Sequence, residues 1–376
     1  MSIRQMFPGS IVKPGFNPLA APAPSYTYYL NTWGSNQYGQ LGLGNTTQYS
    51  SPKQLGSLTN WTGGSGGYAF TISTKSDGTL WSWGYNSLGQ LGLGNTTNYS
   101  SPKQIGSLTN WLRISSGYQH TLAIKTDNTL WSWGKGTFGR LGLGNTTNYS
   151  SPTQVGALSN WLKIAGGGYF SLAIKTDGTL WSWGQNDSGQ LGIGNTTNYS
   201  SPKQIGALTN WLNISAGYYS AIAIKTDGTL WSWGRNGYGE AGLGNLTAYS
   251  SPKQVGSLTN WSQIGTASYS TFSIKTDGTL WAWGNGGGGA LGLNNLTSYS
   301  SPKQVGALTN WSYIAQRMNV QLANKTDGTI WAWGNNSTGQ LGLGNLTSYS
   351  SPKQVGTLTN WGNVGSGWYH SLVLSY

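Results

Sequence analysis

A 50-residue unit occurs seven times along this chain. The segment LGLGN, or a near copy of it, begins at residues 41, 91, 141, 191, 241, 291 and 341. A unit of this size cannot bury its hydrophobic face alone, so neighbouring copies must stack on one another to share a core. The chain is therefore a repeat protein, and its fold follows from what one copy forms.

Each copy carries four strand-like segments and no helical periodicity. In HTLAIKTDNTLWSWG (120–134), alternating apolar residues flank an Asp-Asn pair, which indicates a β-hairpin. PKQIG (102–106) and WLRIS (111–115) are predicted to form two further strands, separated by the polar turn SLTN. Four strands in each of seven copies predict an all-β, seven-bladed β-propeller of 50-residue repeats over residues 27–376.

The hairpin also predicts which side chains share a sheet face. A two-residue Asp-Asn turn would place Ile124 opposite Trp131 and Leu122 opposite Trp133, so that these large groups lie on one face. That face would pack against the small residues of the next blade. We therefore expect both tryptophans of each WSW motif in the core. The alternative is that they stack on a bound sugar.

The two ends of the chain complement each other. HSLVLSY (370–376) matches HTLAIKT (120–126) and stops just before the turn, whereas YLNTWG (29–34) matches TLWSWG (129–134) and starts just after it. Pairing of these segments would complete the missing hairpin and close the ring. Closure removes the exposed sheet edges of an open array.

The motifs WSWGYNSLGQLGLGN, SPKQIG and ISSGYQHTLAIKTD resemble the repeat of the regulator of chromosome condensation family. That repeat has a WG-x-N-x-x-G-Q-L-G core and a G-x-x-H-S/T-L-A-L strand before a D-G turn. The resemblance covers residues 27–376 and implies a seven-bladed propeller. It does not imply one function, because propellers of this family serve as nucleotide-exchange factors, chromatin binders and secreted enzyme inhibitors. The family's histidine is present only as His120 and His370.

The first 26 residues lie outside the repeat. Their sequence FPGSIVKPGFNPLAAPAP resembles leaders of structural proteins of tailed phages, and loops such as GNTTNYSSP resemble phage-encoded versions of this repeat. The segment lacks the continuous apolar region of a signal peptide. We expect an irregular, Pro-rich arm (1–26) that anchors the propeller to other virion proteins. The alternatives are an inert linker, or an arm folded on its own propeller, and a cytoplasmic rather than a virion location.

The copies differ mainly in two windows, one after WSWG and one before LAIK. Antiparallel pairing places both windows on one face of the propeller. GNTTNYSSPKQ is equally loop-like but barely changes, so drift alone does not explain the pattern. The windows favour residues that anchor interfaces. The candidate binding residues are Tyr38, Tyr85, Leu88, Tyr118, His120, Lys135, Phe138, Arg140, Tyr169, Phe170, Tyr218, Tyr219, Arg235, Tyr238, Tyr269, Arg317, Met318, Trp368, Tyr369 and His370. The alternative is drift with packing adjustment.

The charges predict an anionic partner. The net charge is +12, but the lysines of SPKQ and of KTD recur in nearly every copy and are spread around the ring. Nucleic-acid binding instead favours a clustered basic stripe, so we expect no nucleic-acid partner. No run approaches the roughly 18 apolar residues of a membrane span, so we expect no membrane insertion. The remaining charges lie mostly near the variable windows: Arg113, Lys135, Arg140, Lys163, Arg235 and Arg317 against Asp187 and Glu240. A host-surface glycan or protein would fit this balance.

The sequence offers little for catalysis. Six of the eight carboxylates lie in hairpin turns, and Asp187 and Glu240 have no evident acid–base partner. Two histidines cannot form a three-histidine metal site, and the glycines belong to the repeat rather than to a nucleotide-binding motif. We therefore expect a non-enzymatic binding module without cofactor or metal, such as a phage tail, fibre or decoration protein. A bacterial protein–protein interaction propeller (an inhibitor or scaffold) and a glycan-binding, lectin-like propeller are the alternatives.

Overall fold

The computed structural model describes residues 28–318 and 320–376. Within them, 28 strands form seven four-stranded antiparallel sheets. These sheets are the blades of the predicted seven-bladed propeller, which is confirmed. The predicted arm at 1–26, and its boundary with the propeller, lie outside the described residues.

Six blades follow the chain from the inner to the outer strand. They are blade 1 (β3 Trp61–Gly66, β4 Phe70–Lys75, β5 Leu80–Gly84, β6 Tyr99–Gln104), blade 2 (β7 Trp111–Ser116, β8 His120–Lys125, β9 Leu130–Gly134, β10 Tyr149–Gln154), blade 3 (β11 Trp161–Gly166, β12 Phe170–Lys175, β13 Leu180–Gly184, β14 Tyr199–Gln204), blade 4 (β15 Trp211–Ala216, β16 Ser220–Lys225, β17 Leu230–Gly234, β18 Tyr249–Gln254), blade 5 (β19 Trp261–Thr266, β20 Ser270–Lys275, β21 Leu280–Gly284, β22 Tyr299–Gln304) and blade 6 (β23 Trp311–Arg317, β24 Val320–Lys325, β25 Ile330–Gly334, β26 Tyr349–Gln354).

Blade 7 closes the ring with strands from both ends of the chain. Its strand order is β2-β1-β28-β27, with β1 Tyr29–Gly34, β2 Tyr49–Gln54, β27 Trp361–Ser366 and β28 His370–Ser375. Strands β1 and β28 pair in continuous antiparallel register, with Leu30 opposite Leu374. The predicted closure by complementary end segments is therefore confirmed.

The predicted register of the hairpin is wrong by one residue. In blade 2, Ile124 faces Leu130, Leu122 faces Ser132 and Ala123 faces Trp131. The turn is longer than a two-residue turn, because the N–H of Asn128 donates to the Lys125 carbonyl at 2.9 Å and Asn128 has φ +61°. A tight turn followed by one left-handed residue makes a three-residue loop, and the extra residue shifts the pairing. Glycine takes this left-handed place in the other turns, for example Gly178 at φ +77°.

The shifted register separates the two tryptophans from the aliphatic residues. On the second and third strands of blade 2, one face carries the leucine and isoleucine side chains, and the other carries both tryptophans. At the junction of blades 1 and 2, Ile72 and Leu80 pack in one cluster with Ala123 and Trp133. Trp133 is fully buried, and its indole N–H donates to the carbonyl of Gln90 in blade 1 at 3.0 Å.

The first tryptophan of WSW has a different environment. Trp131 is half-buried and packs at the edge of this cluster, so its predicted place in the core is confirmed only in part. The ammonium of Lys125 lies 3.6 Å from the centroid of its ring, a cation–π contact. The corresponding lysine stacks on its tryptophan in blades 1 to 6. In blade 7, Asn31 takes the place of this tryptophan. Among the described residues, no helix is long and apolar enough to cross a membrane.

Candidate binding face

The two variable windows of each copy meet on one face of the propeller. One comprises the loops between the first and second strands (117–119 and equivalents), and the other the loops after the third strand (135–138 and equivalents). The backbone N–H of Lys135 donates to the carbonyl of Gln119 at 2.9 Å, and that of Arg235 to the carbonyl of Tyr219 at 3.0 Å. The hairpin turns lie at the other end of the strands. We call the surface formed by the two windows the variable face.

Aromatic rings from four blades meet at the centre of this face. Tyr118 of blade 2 lies 4.6 Å from Trp368 of blade 7 and 5.8 Å from Tyr218 of blade 4, measured between ring centroids. Tyr68 of blade 1 completes the group at 4.7 Å from Tyr118. Blades 2, 4 and 7 are not neighbours, so these rings can touch only by reaching across the propeller axis. We call Tyr68, Tyr118, Tyr218 and Trp368 the axial cluster.

Further tyrosines surround the axial cluster. Tyr169 and Tyr219 lie 4.9 Å and 4.5 Å from Tyr218, and the hydroxyls of Tyr169 and Tyr218 are hydrogen-bonded to each other. Tyr269 and Tyr369 extend the same surface. Burial, and then the neighbouring phenols, raise the pKa of Tyr118 above its usual range. The surface therefore combines apolar rings with polar hydroxyls.

Two cationic groups flank these rings. In blade 4, the guanidinium of Arg235 lies 4.6 Å from the ring centroid of Tyr269 and 3.9 Å from the carboxylate of Glu240. In blade 2, the guanidinium of Arg140 lies 4.7 Å from the ring centroid of Tyr169. Burial lowers the pKa of Arg140 to about 10, which still leaves it charged at neutral pH.

The loop of blade 2 differs from most of its counterparts because of Arg140. In five blades, a Gln or Glu at this position accepts a hydrogen bond from the backbone N–H two residues earlier, as Glu240 does from Tyr238 at 2.7 Å. Arginine cannot accept this bond. The loop instead forms a 3-10 turn, Thr137–Gly139, with Phe138 held at φ +64°. Blade 5, with Ala290 at this position, forms the same kind of turn.

Five candidates are buried, so their expected place on an exposed face is wrong. Trp368 and Arg140 lie beneath the rings of the variable face. His120, Phe170 and His370 begin their strands and point into the junction with the next blade. The ring of His370 meets the Thr71 hydroxyl at 2.8 Å, and that of His120 meets the Ser171 hydroxyl at 3.0 Å.

The other candidates are at least partly accessible. Half-buried side chains are those of Tyr38, Tyr85, Leu88, Tyr118, Lys135, Phe138, Tyr169, Tyr218, Tyr219, Arg235, Tyr269, Met318 and Tyr369, and Tyr238 is exposed. Tyr38 and Tyr85 form a separate pair at 4.7 Å. The side chain of Arg317 lies outside the described part of the structure.

Tyr68 was absent from the candidates, although it belongs to the axial cluster. It occupies the same position in its copy as Tyr118, Tyr218 and Trp368 in theirs. Alignment of the copies on this single position would have identified it. The contacts across the axis were not predictable from one repeat, because they join blades that are far apart in sequence.

Below the axial cluster, the inner strands enclose a cavity of about 330 Å³. Gly63 contributes no side chain to its wall, and Arg113, Tyr313 and Asn363 line it from three other blades. Burial raises the pKa of Tyr313 to about 12.

Among the residues that the structure describes, no group of three or more His, Cys, Asp or Glu side chains could hold a metal ion.

Comparison with protein families identifies the repeat. The model of the regulator of chromosome condensation (RCC1) repeat matches residues 30–73, 77–124, 127–174, 177–224, 227–274, 277–316 and 327–374. The chain belongs to this family. A second model of the same repeat matches residues 112–140, 161–190 and 211–240. No match was found among curated proteins.

Solved structures show the same fold at low sequence identity. Yeast RCC1 (Prp20), solved bound to Kap60, superposes with a TM-score of 0.84 at 19% identity, covering 93% of this chain and 89% of that one. Human WBSCR16 superposes with a TM-score of 0.83 at 22% identity, and the match covers 93% of this chain and 98% of that one. Prp20p from Saccharomyces cerevisiae, reported with its binding to Gsp1p and histones, superposes with a TM-score of 0.83 at 18% identity, and the match covers 93% of this chain and 92% of that one. At these identities the likeness establishes the fold alone.

Proposed function

We propose that this protein is a non-enzymatic binding module whose variable face recognises a partner. The observation that supports this most directly is the set of rings at the propeller axis, because Tyr and Trp side chains supply large contact areas with little loss of rotamer entropy. The relatives of this fold include a protein solved in complex with a partner. The tyrosine rings are partly accessible and flanked by cations, which suits a partner with apolar and anionic groups.

We further propose that the partner lies on a host surface and that the protein belongs to a phage virion. The support is the resemblance of residues 1–26 to virion leaders, together with the charge balance of the variable windows. In this proposal the arm joins other virion proteins and the variable face contacts a surface glycan or protein. Mass spectrometry of purified virions tests the location, and absence of the protein from them would leave the bacterial interaction propeller as the better hypothesis.

The binding proposal can be tested with substitutions that the repeat itself supplies. Tyr118→Ser and Tyr238→Ser introduce the residues found at the equivalent positions Ser268 and Ser188. We expect the double variant to lose about 2 kcal/mol or more of binding energy if either tyrosine is an interface anchor. Binding of the full chain to intact host cells is the measurement.

The control is Lys103→Thr, which introduces the residue found at Thr153. Lys103 is exposed and belongs to the nearly constant SPKQ motif, outside the variable windows. Its loss should change affinity only through weak, salt-screened charge. Loss of binding in this variant, with retention in the tyrosine variant, would move the functional surface to the constant part of the repeat.

A further inference from the structure

Two equivalent sets of side chains on the variable face differ in their charge balance. Each set contains four residues. The first directly follows the WSWG motif, the second is an aromatic residue three positions later, and the third is a buried residue two positions after that. The fourth is a tyrosine of the next blade. In blade 4 they are Arg235, Tyr238, Glu240 and Tyr269, and in blade 2 they are Lys135, Phe138, Arg140 and Tyr169. The repeat thus supplies its own comparison.

The set in blade 4 is balanced internally. The carboxylate of Glu240 is buried and lies 3.9 Å from the guanidinium of Arg235. It also accepts a hydrogen bond from the backbone N–H of Tyr238. The cation that stacks on Tyr269 therefore has its counter-charge within the same blade.

The set in blade 2 has two cations and no acid. Arg140 is fully buried, and it donates to the carbonyls of Thr137 at 2.9 Å and Gly168 at 3.4 Å. Its second terminal nitrogen, Nη2, is buried without a hydrogen-bond partner among the described residues. The ammonium of Lys135 donates to the Gln119 side-chain amide at 3.2 Å. Within residues 28–318 and 320–376, neither cation pairs with a carboxylate.

This arrangement is costly unless an anion supplies the missing charge. A buried cation needs compensation, and carbonyl dipoles provide only part of it. Arg140 also lowers the pKa of the Lys135 ammonium, after the larger effect of burial. Because Lys135 and Phe138 are half-buried, they reach solvent, whereas Arg140 acts on the same place from beneath. Because Arg140 is buried, its field is less screened than that of an exposed charge.

We propose that Lys135, Phe138 and Tyr169, above the buried Arg140, form a binding site for the carboxylate of an acidic sugar. Lys135 contacts the carboxylate, and Arg140 holds it by long-range attraction. The apolar face of the sugar ring lies on the accessible aromatic rings. A sugar fits better than a charged side chain of a protein because the cations lie beside flat rings. This inference rests on the proposed binding function of the variable face and specifies one ligand class for it.

The test uses the full chain with three probes at physiological salt: an oligogalacturonate, its carboxyl-reduced neutral form and an oligoglutamate peptide. The variants are Arg140→Ala and Lys135→Gln, which introduce residues found at the equivalent positions Ala290 and Gln185. Since Ala290 lies in the same kind of 3-10 turn, the loop should be retained. We expect Lys135→Gln to weaken oligogalacturonate binding by about tenfold or more, the scale of one charge-assisted hydrogen bond, and Arg140→Ala by about fivefold, the scale of a charge that acts without direct contact. Thermal unfolding confirms that each variant is folded.

Two further variants separate this site from the general positive charge. Lys103→Thr removes a cation outside the site and should leave binding within about twofold of wild type, because exposed charges are screened. Glu240→Gln frees Arg235 from its carboxylate and should add a second, weaker site. The loop should be retained, because Gln occupies this position in four other copies.

Several results would overturn the inference. These are equal binding of the neutral oligosaccharide, equal weakening by Lys103→Thr, binding of the peptide without the oligosaccharide, or no binding of any probe. The binding function itself is tested separately by the tyrosine variants. If Tyr118→Ser/Tyr238→Ser loses binding to host cells while Arg140→Ala retains it, the acidic-sugar site is wrong and the variable face remains the binding surface.

Discussion

Replacing each tryptophan of a WSW motif by alanine should distinguish their two environments. In blade 2, Trp133 is fully buried between blades and donates a hydrogen bond to the Gln90 carbonyl at 3.0 Å. An indole of this kind buries about 200 Å², which at about 25 cal/mol per Å² corresponds to about 5 kcal/mol as an upper bound. Measured losses for such substitutions are about 3–5 kcal/mol. We therefore expect Trp133→Ala to lower the free energy of unfolding by about 4 kcal/mol.

Trp131→Ala should cost less. Trp131 is half-buried, its N–H donates to the Thr129 hydroxyl at 2.9 Å, and its ring carries the Lys125 ammonium at 3.6 Å. Half of the roughly 4 kcal/mol expected for Trp133, and a partly exposed cation–π contact of about 0.5–1 kcal/mol, together give about 2.5–3 kcal/mol. The Lys125 side chain can follow the lost ring into solvent, which reduces the cost further.

Equilibrium urea unfolding, followed by circular dichroism, measures both variants. The midpoint should fall more for Trp133→Ala than for Trp131→Ala, with similar slopes, because the same surface becomes exposed. An equal or larger loss for Trp131→Ala would contradict the observed difference in burial between the two tryptophans.

Two further predictions concern backbone geometry and pH. Gly92→Ala should lower the free energy of unfolding by about 3 kcal/mol, because φ is +75° and the new Cβ would lie 2.7 Å from the Trp133 indole nitrogen. Gly106→Ala should cost only about 1 kcal/mol, because φ is +60° there and no atom lies within 4 Å of the new Cβ. Similar urea midpoints for the two variants would refute this prediction. Burial lowers the pKa of His370 to about 3, so only the unfolded chain binds a proton as the pH falls below about 6.5. The contribution of His370 to the free energy of unfolding is therefore constant above this pH and falls by about 2 kcal/mol at pH 5. His370→Phe, which introduces the residue found at the equivalent position Phe170, should abolish that loss. Urea titrations above pH 6.5 and at pH 5 measure it.

The architecture followed from the sequence because it depends on features that every copy repeats. The period of 50, the four strand segments and the complementary ends required no information from outside the chain. The register did not follow, because Asp-Asn and Asp-Gly pairs occur in both two-residue and three-residue loops. The difference depends on whether Asn128 is the second or the third residue of the loop, and this changes the face of every side chain in the strand.

The variable face was predicted correctly as a surface, but only in part as a set of residues. Strand pairing predicted that the two windows lie together. Alternation of side chains along a strand, however, does not show at which residue the strand begins. His120 and Phe170 lie at the first position of their strands, so their side chains point into the blade junction. The register error removed the information that would have placed them there.

This division of the windows bears on why the copies differ. At the first position of the second strand, His, Phe, Ser and Val are all buried between blades. His370 faces Thr71, His120 faces Ser171, and Phe170 packs beside Ala221. Packing between blades therefore accounts for these side chains. The tyrosines beyond the strand ends pack on one another and remain partly accessible, and for them we propose contact with a partner.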